Sequence, residues 1–306
     1  MARKKDVLDR LAERLARGEI SESTYLSIKE RYEKEGFPEE DESDRYNIRI
    51  DLSAIQEALN GISDVLPSIH RGDYEGERYD CCGVGKVAGK LKVGDARVVG
   101  VCKIADDLEA NTLETSGTLK VGDDILVDDF KNSGVLSVGG SIKSNVVESS
   151  GQLRVQGDVE ADTFKNSGAC KVTKSVKSSE VTLSGALKVG QNVEADSFNS
   201  TGSFRVGGAI KASKIDIELT SRSRASSIEG DDIRVRAAAG GGRLMCETIK
   251  GSKVHLEATD ADLVEGDDVE IGPRCRVRKV VASSLKAHET AEIEEKQVGE
   301  AEESPS

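Results

Sequence analysis

The chain has 306 residues and a formal net charge of -13 at pH 7, with aromatic residues at 3% and no tryptophan. This acidic balance argues against nucleic acid as a main partner, because binding to phosphates requires a basic surface. The scarcity of aromatic residues is unusual for a compact globule with a thick core. It favours a thin core filled with valine, isoleucine, leucine and alanine.

The cysteines, the histidines and the start of the chain exclude further classes. The six cysteines include no Cys-x-x-Cys pair and the three histidines are scattered, so the sequence predicts no zinc site. The chain begins Met-Ala-Arg-Lys-Lys-Asp, without the apolar core of a signal peptide, and no apolar run approaches the ~20 residues of a membrane span. We therefore expect a reduced, cytoplasmic protein that needs no metal and no cofactor.

Residues 1–36 predict a helical hairpin. Three leucines share one helical face, Gly18 interrupts the helix, and Ser21 is a suitable N-cap for a second helix. Residues 15–25 resemble the SHOCT module, a short helical hairpin of prokaryotic proteins, and the resemblance implies a role in oligomerisation or localisation. A solvated helix pair with no separate role stays open. Contact of the first helix with a membrane surface also stays open, although acidic residues interrupt its basic face.

Two linkers and one more helix are predicted before the main domain. Residues 37–50 are rich in glutamate and aspartate and predict an acidic linker. In residues 51–66, apolar residues recur at alternating spacings of three and four, which is typical of an amphipathic helix. This helix would pack on its own chain, pair with a second chain or lie across the end of the next domain. Pro67 ends it, and residues 67–78 predict a second linker.

The dominant feature of the sequence is a repeat of 17 residues between residues 116 and 219. A Ser-Gly pair recurs at this interval from Ser116 to Ser184, and Thr201 begins a Thr-Gly pair. Counting each of these residues as position 1, position 6 is always valine, and positions 4, 10 and 15 are nearly always apolar. Position 15 alternates between a large and a smaller residue, as in Phe130 and Val147. Apolar residues two apart, separated by a polar residue, have the period of a strand.

The repeat predicts a mainly β fold, a single-stranded β-solenoid or parallel β-helix with about 17 residues per coil and a right-handed turn. We expect three short strands per coil, and a glycine at position 2 that supplies a backbone conformation other residues resist. The predicted domain spans residues 79–286. It has polar excursions at 220–227 and 237–242 and about four coils after residue 219, and an acidic, disordered tail follows at 287–306. The alternative is a stack of antiparallel hairpins in a propeller or sandwich, although propeller repeats run to ~40 residues or more.

The sequence offers little that indicates catalysis. The paired carboxylates Asp123-Asp124, Asp231-Asp232 and Asp267-Asp268 each follow a glycine and predict turns, with calcium binding as the alternative. No phosphate-binding loop and no nucleophile elbow occurs, and His255 lies on a predicted strand. Cys102 and Cys170 fall on position 4 and predict buried thiols. We therefore expect no catalytic, metal-binding or cofactor-binding residues.

The repeated pattern Ser-Gly-x-Leu-x-Val-Gly-x-x-Ile/Val-x-Ala-Asp at residues 116–213, and the closing segment 264–277, resemble bactofilins. These are the polymer-forming, β-helical cytoskeletal proteins of prokaryotes. The resemblance implies nucleotide-independent assembly of solenoids, end to end, into non-polar filaments. Typical bactofilins are shorter and have brief tails, whereas this chain has a long N-terminal region. A role as a polymer accessory or membrane-linked adaptor therefore stays open.

Physical reasoning also favours assembly, because the first and last coils of a solenoid leave backbone groups unpaired and an apolar column open. We therefore predict a structural protein whose main partner is itself, with N-terminal helices that modulate assembly or recruit partners. A second partner stays open, either another bactofilin-like protein or a membrane-associated protein. A location at the membrane periphery also stays open. The alternative function is a binding or adaptor module that forms a discrete oligomer, and an enzyme on a solenoid scaffold is a third class.

Overall fold

The computed structural model describes residues 69–239 and 241–299, and every regular element within them is a β-strand. The predicted helices at 1–36 and 51–66 and the acidic linker at 37–50 lie outside the described residues. The strands are β1 (Ile69–His70), β2 (Tyr74–Cys81), β3 (Val84–Val87), β4 (Leu91–Val98), β5 (Val101–Ile104), β6 (Leu108–Thr115), β7 (Thr118–Val121), β8 (Ile125–Asn132), β9 (Val135–Val138), β10 (Ile142–Ser149), β11 (Gln152–Val155), β12 (Val159–Asn166), β13 (Ala169–Val172), β14 (Val176–Leu183), β15 (Ala186–Val189), β16 (Val193–Ser200), β17 (Ser203–Val206), β18 (Ala209–Leu219), β19 (Arg222–Ala237), β20 (Arg243–Leu256), β21 (Thr259–Ile271), β22 (Arg276–Ala287) and β23 (Glu292–Val298).

The strands stack as a parallel β-solenoid of about 13 turns. From β2 to β17, strands of eight and four residues alternate, and each pairs in parallel with the strand two places along the chain. The register advances by one repeat, so that Val138 pairs with Val121 on one side and with Val155 on the other. The predicted mainly β solenoid and its 17-residue coil are confirmed, while the right-handed turn stays a prediction.

Six positions of each 17-residue coil face the interior, namely positions 4, 6, 10, 12, 15 and 17. The buried residues of β11 and β12 show the pattern: Leu153, Val155, Val159, Ala161, Phe164 and Asn166. At position 15, the fully buried rings of Phe130 and Phe164 alternate with Val147. Each ring therefore packs over a smaller side chain, which keeps the narrow core filled without crowding.

Up to β18, each coil has two hydrogen-bonded strands, where we predicted three short ones, and from β19 to β22 a single long strand forms each coil. The eight-residue strand bends at positions 13 and 14, where two successive side chains point outward, as Asp128 and Asp129 do in β8. The register skips position 13 at this bend. The Oγ atom of Ser144 donates to the carbonyl oxygen of Asp128 at 2.9 Å and so satisfies a group that the bend frees. The strand thus continues through the bend. The apolar pattern of the sequence does not distinguish one bent strand from two separate strands.

The glycine at position 2 is required because neighbouring coils pack closely there. The prediction that it supplies a backbone conformation which other residues resist is wrong. The described glycines with a left-handed φ are Gly72 and Gly241, and neither is at position 2. At Gly151, a methyl group would overlap the carbonyl oxygen of Gly134 and the backbone of Ser133 in the preceding coil. Neighbouring coils approach each other at this corner as closely as their backbones allow.

After residue 219 the length of the coil varies while the stacking continues. Ladder residues pair at intervals of 18, 21, 15 and 16 residues, and they are Ile210, Ile228, Ile249, Val264 and Val280. The predicted excursion at 220–227 is wrong from residue 222 onward, because Ser223 and Ala225 are buried positions of β19. The longest interval contains the turn that follows β19, close to the excursion predicted at 237–242.

The solenoid extends beyond the predicted bounds of 79–286 at both ends. Strand β1 and most of β2 occupy the predicted linker 67–78, where Ile69 pairs with Lys86 and Tyr74 with Leu91. Strand β23 occupies part of the predicted tail 287–306 and pairs with β22. These strands were missed because the end coils depart from the apolar ladders: His70 pairs with Val87, and Lys296 pairs with Val280.

We expect Gly151→Ala to lower the free energy of unfolding by about 1–3 kcal/mol, the usual cost of forcing extra volume into a packed site. Gly83 is the matched control, since it also holds position 2 but has no atom within 4 Å of an added Cβ. We expect Gly83→Ala to change stability by no more than about 0.5 kcal/mol. Urea unfolding followed by circular dichroism measures both variants. Equal losses in the two variants would show that contact between coils is not the cause.

Candidate interaction surfaces

One outward ladder alternates in charge along most of the solenoid. The residues at position 11 pair in the following order: Glu75, Lys92, Glu109, Leu126, Lys143, Glu160, Lys177, Glu194, Lys211, Glu229, Lys250 and Glu265. The distance from Lys92 Nζ to Glu109 Oε1 is 2.9 Å. Opposite charges that face each other on adjacent strands are favourable and like charges are unfavourable. This alternating ladder therefore favours the observed register.

A second ladder of alternating charge runs along the corner that carries the Ser-Gly pairs. Position 16 reads, in order, Arg97, Glu114, Lys131, Glu148 and Lys165. With the serines of the repeat, these residues line a groove of about 620 Å³. Beneath it lies a buried polar row at position 17, in which Asn132 Nδ2 donates to Ser149 Oγ at 3.1 Å. The alternating charges of this groove leave it little excess of either sign with which to select a charged ligand.

A third outward ladder carries one sign of charge only. Position 5 of the short strands is basic from Lys86 to Arg224 in every coil but that of Ser137. We name these residues the basic row: Lys86, Lys103, Lys120, Arg154, Lys171, Lys188, Arg205 and Arg224. Members in successive coils lie over one another, about 4.8 Å apart. Like charges in this arrangement weaken the stack, and the alternating ladder shows that the same chain avoids this cost elsewhere.

The bend of the long strand carries the opposite charge. Asp128, Asp162 and Asp196 occupy position 13 in alternate coils and line a groove of about 560 Å³, and we name these three residues the acidic groove. Two lysines and two glutamates of the alternating ladder also line it, and their charges cancel. The aspartates therefore give this groove a net negative charge.

The structure places the paired carboxylates in the backbone framework of the solenoid. Asp124 Oδ1 accepts a hydrogen bond at 2.7 Å from the backbone N–H of Ser141 in the next coil. Asp231-Asp232 and Asp267-Asp268 lie inside β19 and β21, so the predicted turns are wrong there. The glycine before each pair falls on position 12, immediately before the bend of the strand. In the part of the chain that the structure describes, no three His, Cys, Asp or Glu side chains are grouped so as to hold a metal ion.

The cysteines are free, and five of the six are buried, the exception being Cys82. Cys102 and Cys170 are 0% and 4% exposed, which confirms the prediction for position 4. Burial raises the pKa of Cys170 to about 12. It also raises the pKa of Cys246, to about 12. These thiols remain protonated at neutral pH and are therefore poor nucleophiles.

The two ends of the solenoid differ in chemistry. At the first coil, the rings of His70 and Tyr74 lie 4.4 Å apart between centroids, and that of Tyr79 lies 5.6 Å from Tyr74. At the last coil, four of the seven residues of β23 are charged. Val298 shares the inward position 12 with its partner Ala282, yet it is 48% exposed. The apolar column thus reaches the last coil without cover from another described strand.

His255 lies on a strand, as predicted, and its Nδ1 atom is 3.1 Å from Glu270 Oε2 on the solenoid surface.

Comparisons with protein-family models, curated proteins and solved structures find no match to the chain. The resemblances to bactofilins and to the SHOCT module therefore have no support from a matching family. Among the described residues, none belongs to a helix long and apolar enough to cross a membrane.

We expect Lys211→Glu to destabilise the fold by about 0.2–1 kcal/mol, because it places like charges directly opposite each other at position 11. The partners of Lys211 in this ladder are Glu194 and Glu229. Lys211→Gln is the control, since it removes the attraction without adding repulsion, and its effect should be smaller. Thermal unfolding at low and high salt measures both. A loss for Lys211→Glu that does not shrink in about 1 M salt would contradict an electrostatic cause.

We expect one of the six thiols to react rapidly with Ellman's reagent in the native protein at about pH 8, and all six after unfolding, because burial protects the rest. Cys82→Ser should remove the rapid reaction. Two or more rapidly reacting thiols in the native protein would contradict the burial described above.

Proposed function

We propose that this protein is structural and that it assembles through the ends of its solenoid into filaments or a scaffold, without nucleotide. The observation that supports this is the pairing of the backbone. Within the described residues, every strand from β3 to β22 pairs on both sides, whereas β1, β2 and β23 pair on one side only. An edge strand presents N–H and C=O groups that template pairing with another chain.

The side chains of the last coil add to this proposal. Ile293 and Val298 take inward positions in β23, where they continue the apolar column of β22. Burial of such residues under a further coil is favourable by about 25 cal/mol per Å² of apolar surface removed from water. A second copy that stacks on this end would therefore gain both backbone hydrogen bonds and apolar contacts. In this proposal the N-terminal helices predicted above modulate growth or recruit a partner.

The second candidate function is a binding or adaptor module in a discrete oligomer, and the charges of β23 favour it. Lys296 pairs with Val280 at the inward position 10, and three glutamates share its strand. Natural sheets use charges of this kind to keep an edge from pairing. Contact through the first coil alone would then give a closed pair in place of a filament.

We also propose a cytoplasmic location. All six cysteines are free, and a chain that carries several unpaired thiols is typical of a reducing compartment.

Sedimentation velocity and negative-stain electron microscopy of the full chain test the proposal. We expect the particle mass to rise with protein concentration, since open assembly has no fixed size. We expect Val298→Lys to stop this growth, because it places a charge in the open column. Val99→Lys is the matched control: Val99 is similarly exposed, at 45%, but lies on the side of the solenoid, between β4 and β5.

Two other outcomes contradict end-to-end assembly. A single species whose mass is constant across concentration and salt supports the discrete oligomer. Equal losses of growth in Val298→Lys and Val99→Lys would show that assembly does not use the last coil.

A further inference from the structure

The basic row is a strip of positive charge on a protein whose net charge is -13. It has eight cationic members, with Ser137 as its one interruption. All of them are exposed or half-exposed, seven on the short strands and Arg224 on β19. Position 3, beside the row on the same strands, holds valine, threonine, glutamine, alanine or serine from β3 to β17 and therefore supplies no countercharge.

The row also differs from the alternating ladder in its ion pairing. Among the described residues, Lys86, Lys103, Lys171 and Lys188 form no ion pair, whereas Lys92, Lys143 and Lys250 of the alternating ladder each do. Four consecutive cations stack from Arg154 to Arg205. A ladder of like charges opposes folding, so its presence points to a role outside the isolated solenoid.

The acidic groove has the complementary charge and a matching spacing. Asp128, Asp162 and Asp196 recur every second coil, about 9.6 Å apart, while the row repeats every coil, about 4.8 Å apart. These three aspartates form no ion pair among the described residues, and all are exposed. Because the two surfaces repeat along parallel lines on the same rod, every second cation of one copy can face an aspartate of another.

The geometry of one coil prevents the row from reaching its own groove. The row is at position 5 of the short strand and the groove is at position 13, at the bend of the long strand. These positions are eight residues apart in a coil of 17, about half of the way round it, and they belong to two different ladders of parallel strands. A contact between the two surfaces therefore requires two copies of the chain.

We propose that the basic row of one solenoid binds the acidic groove of a second copy, so that solenoids associate side by side. Each copy offers both surfaces, and the contact therefore propagates to further copies. Single ion pairs at exposed positions bind weakly, so the contact depends on several pairs in register. It is also sensitive to salt, because exposed charges are screened over ~10 Å at about 0.1 M ionic strength. This lateral contact is independent of the end contact proposed above.

Charge reversal on the full chain tests the proposal. The row variant combines Lys171→Glu with Lys188→Glu, and the groove variant combines Asp162→Lys with Asp196→Lys. Lys253→Glu with Lys286→Glu is the control for the row variant, since it changes the net charge equally at exposed sites outside both surfaces. Circular dichroism melts establish that all variants fold. The readouts are the fraction that pellets at low speed and the width of the particles in negative-stain images.

We expect the wild type to form particles wider than one solenoid at about 0.05 M salt and to lose them at about 0.5 M salt. Each variant alone should reduce the pelleted fraction about tenfold, because like charges then face each other across the contact. A mixture of the two variants should restore pelleting, since the reversed row of one complements the reversed groove of the other. The control should behave as the wild type.

Three results would overturn the proposal. The first is a wild type that never exceeds the width of one solenoid at low salt. The second is a mixture of variants that fails to recover although each folds. The third is a row variant that forms particles as wide as those of the wild type but loses binding to polyglutamate or duplex DNA. This result would show that the row binds a polyanion and not a second copy of the chain. Failure of end-to-end growth alters particle length and leaves width unchanged, so the two proposals fail separately.

Discussion

Parallel pairing between successive coils is the constraint on which the other features of this solenoid depend. Each residue lies over its equivalent in the coil before, so any property of a side chain repeats about every 4.8 Å along the axis. Such stacking crowds large rings and opposes like charges. Alternation of side chains along a ladder relieves both effects. In the core, Val147 lies between Phe130 and Phe164, and on the surface Lys211 lies between two glutamates. Where the backbones themselves approach most closely, only glycine fits.

The fold is predictable from the sequence wherever the ladders are strongly apolar. Positions 4, 6, 10 and 15 reveal the period, and the period identifies the solenoid. Positions 12 and 17 also face inward but in most coils hold small or polar residues such as Ser144 and Asn132, so hydropathy does not reveal them. The bend next to position 12, and with it the number of strands per coil, is hidden for the same reason. The end coils escape detection because their inward positions include residues such as Lys296.

The candidate surfaces are less predictable than the fold. Net charge and composition add up the charges of the whole chain, whereas the register of the strands places charges of each sign on separate faces. In the sequence, positions 5 and 11 both look polar and rich in lysine. Pairing shows that the signs alternate at position 11 and cancel between neighbours, whereas at position 5 they are the same and accumulate. A net charge of -13 describes neither surface. Sorting the repeat by position and by sign reveals the row, but the groove also requires the bend that brings Asp128 and Asp162 to one edge.

The chemistry of the two ends bears on the polarity of any end-to-end contact. Position 10 is Lys296 in the last coil and Tyr74 in the first. In a head-to-tail contact that continues the register, Lys296 lies against Tyr74 at an inward position, and burial of its ammonium there is costly. A tail-to-tail contact instead brings together two copies of β23, each with three glutamates, and opposes like charges. The non-polar filaments implied by the resemblance to bactofilins need such a tail-to-tail contact as well as a head-to-head one. Charge at the last coil therefore opposes both kinds of contact, and the proposed assembly through this end requires that backbone hydrogen bonds and the burial of Ile293 and Val298 outweigh it.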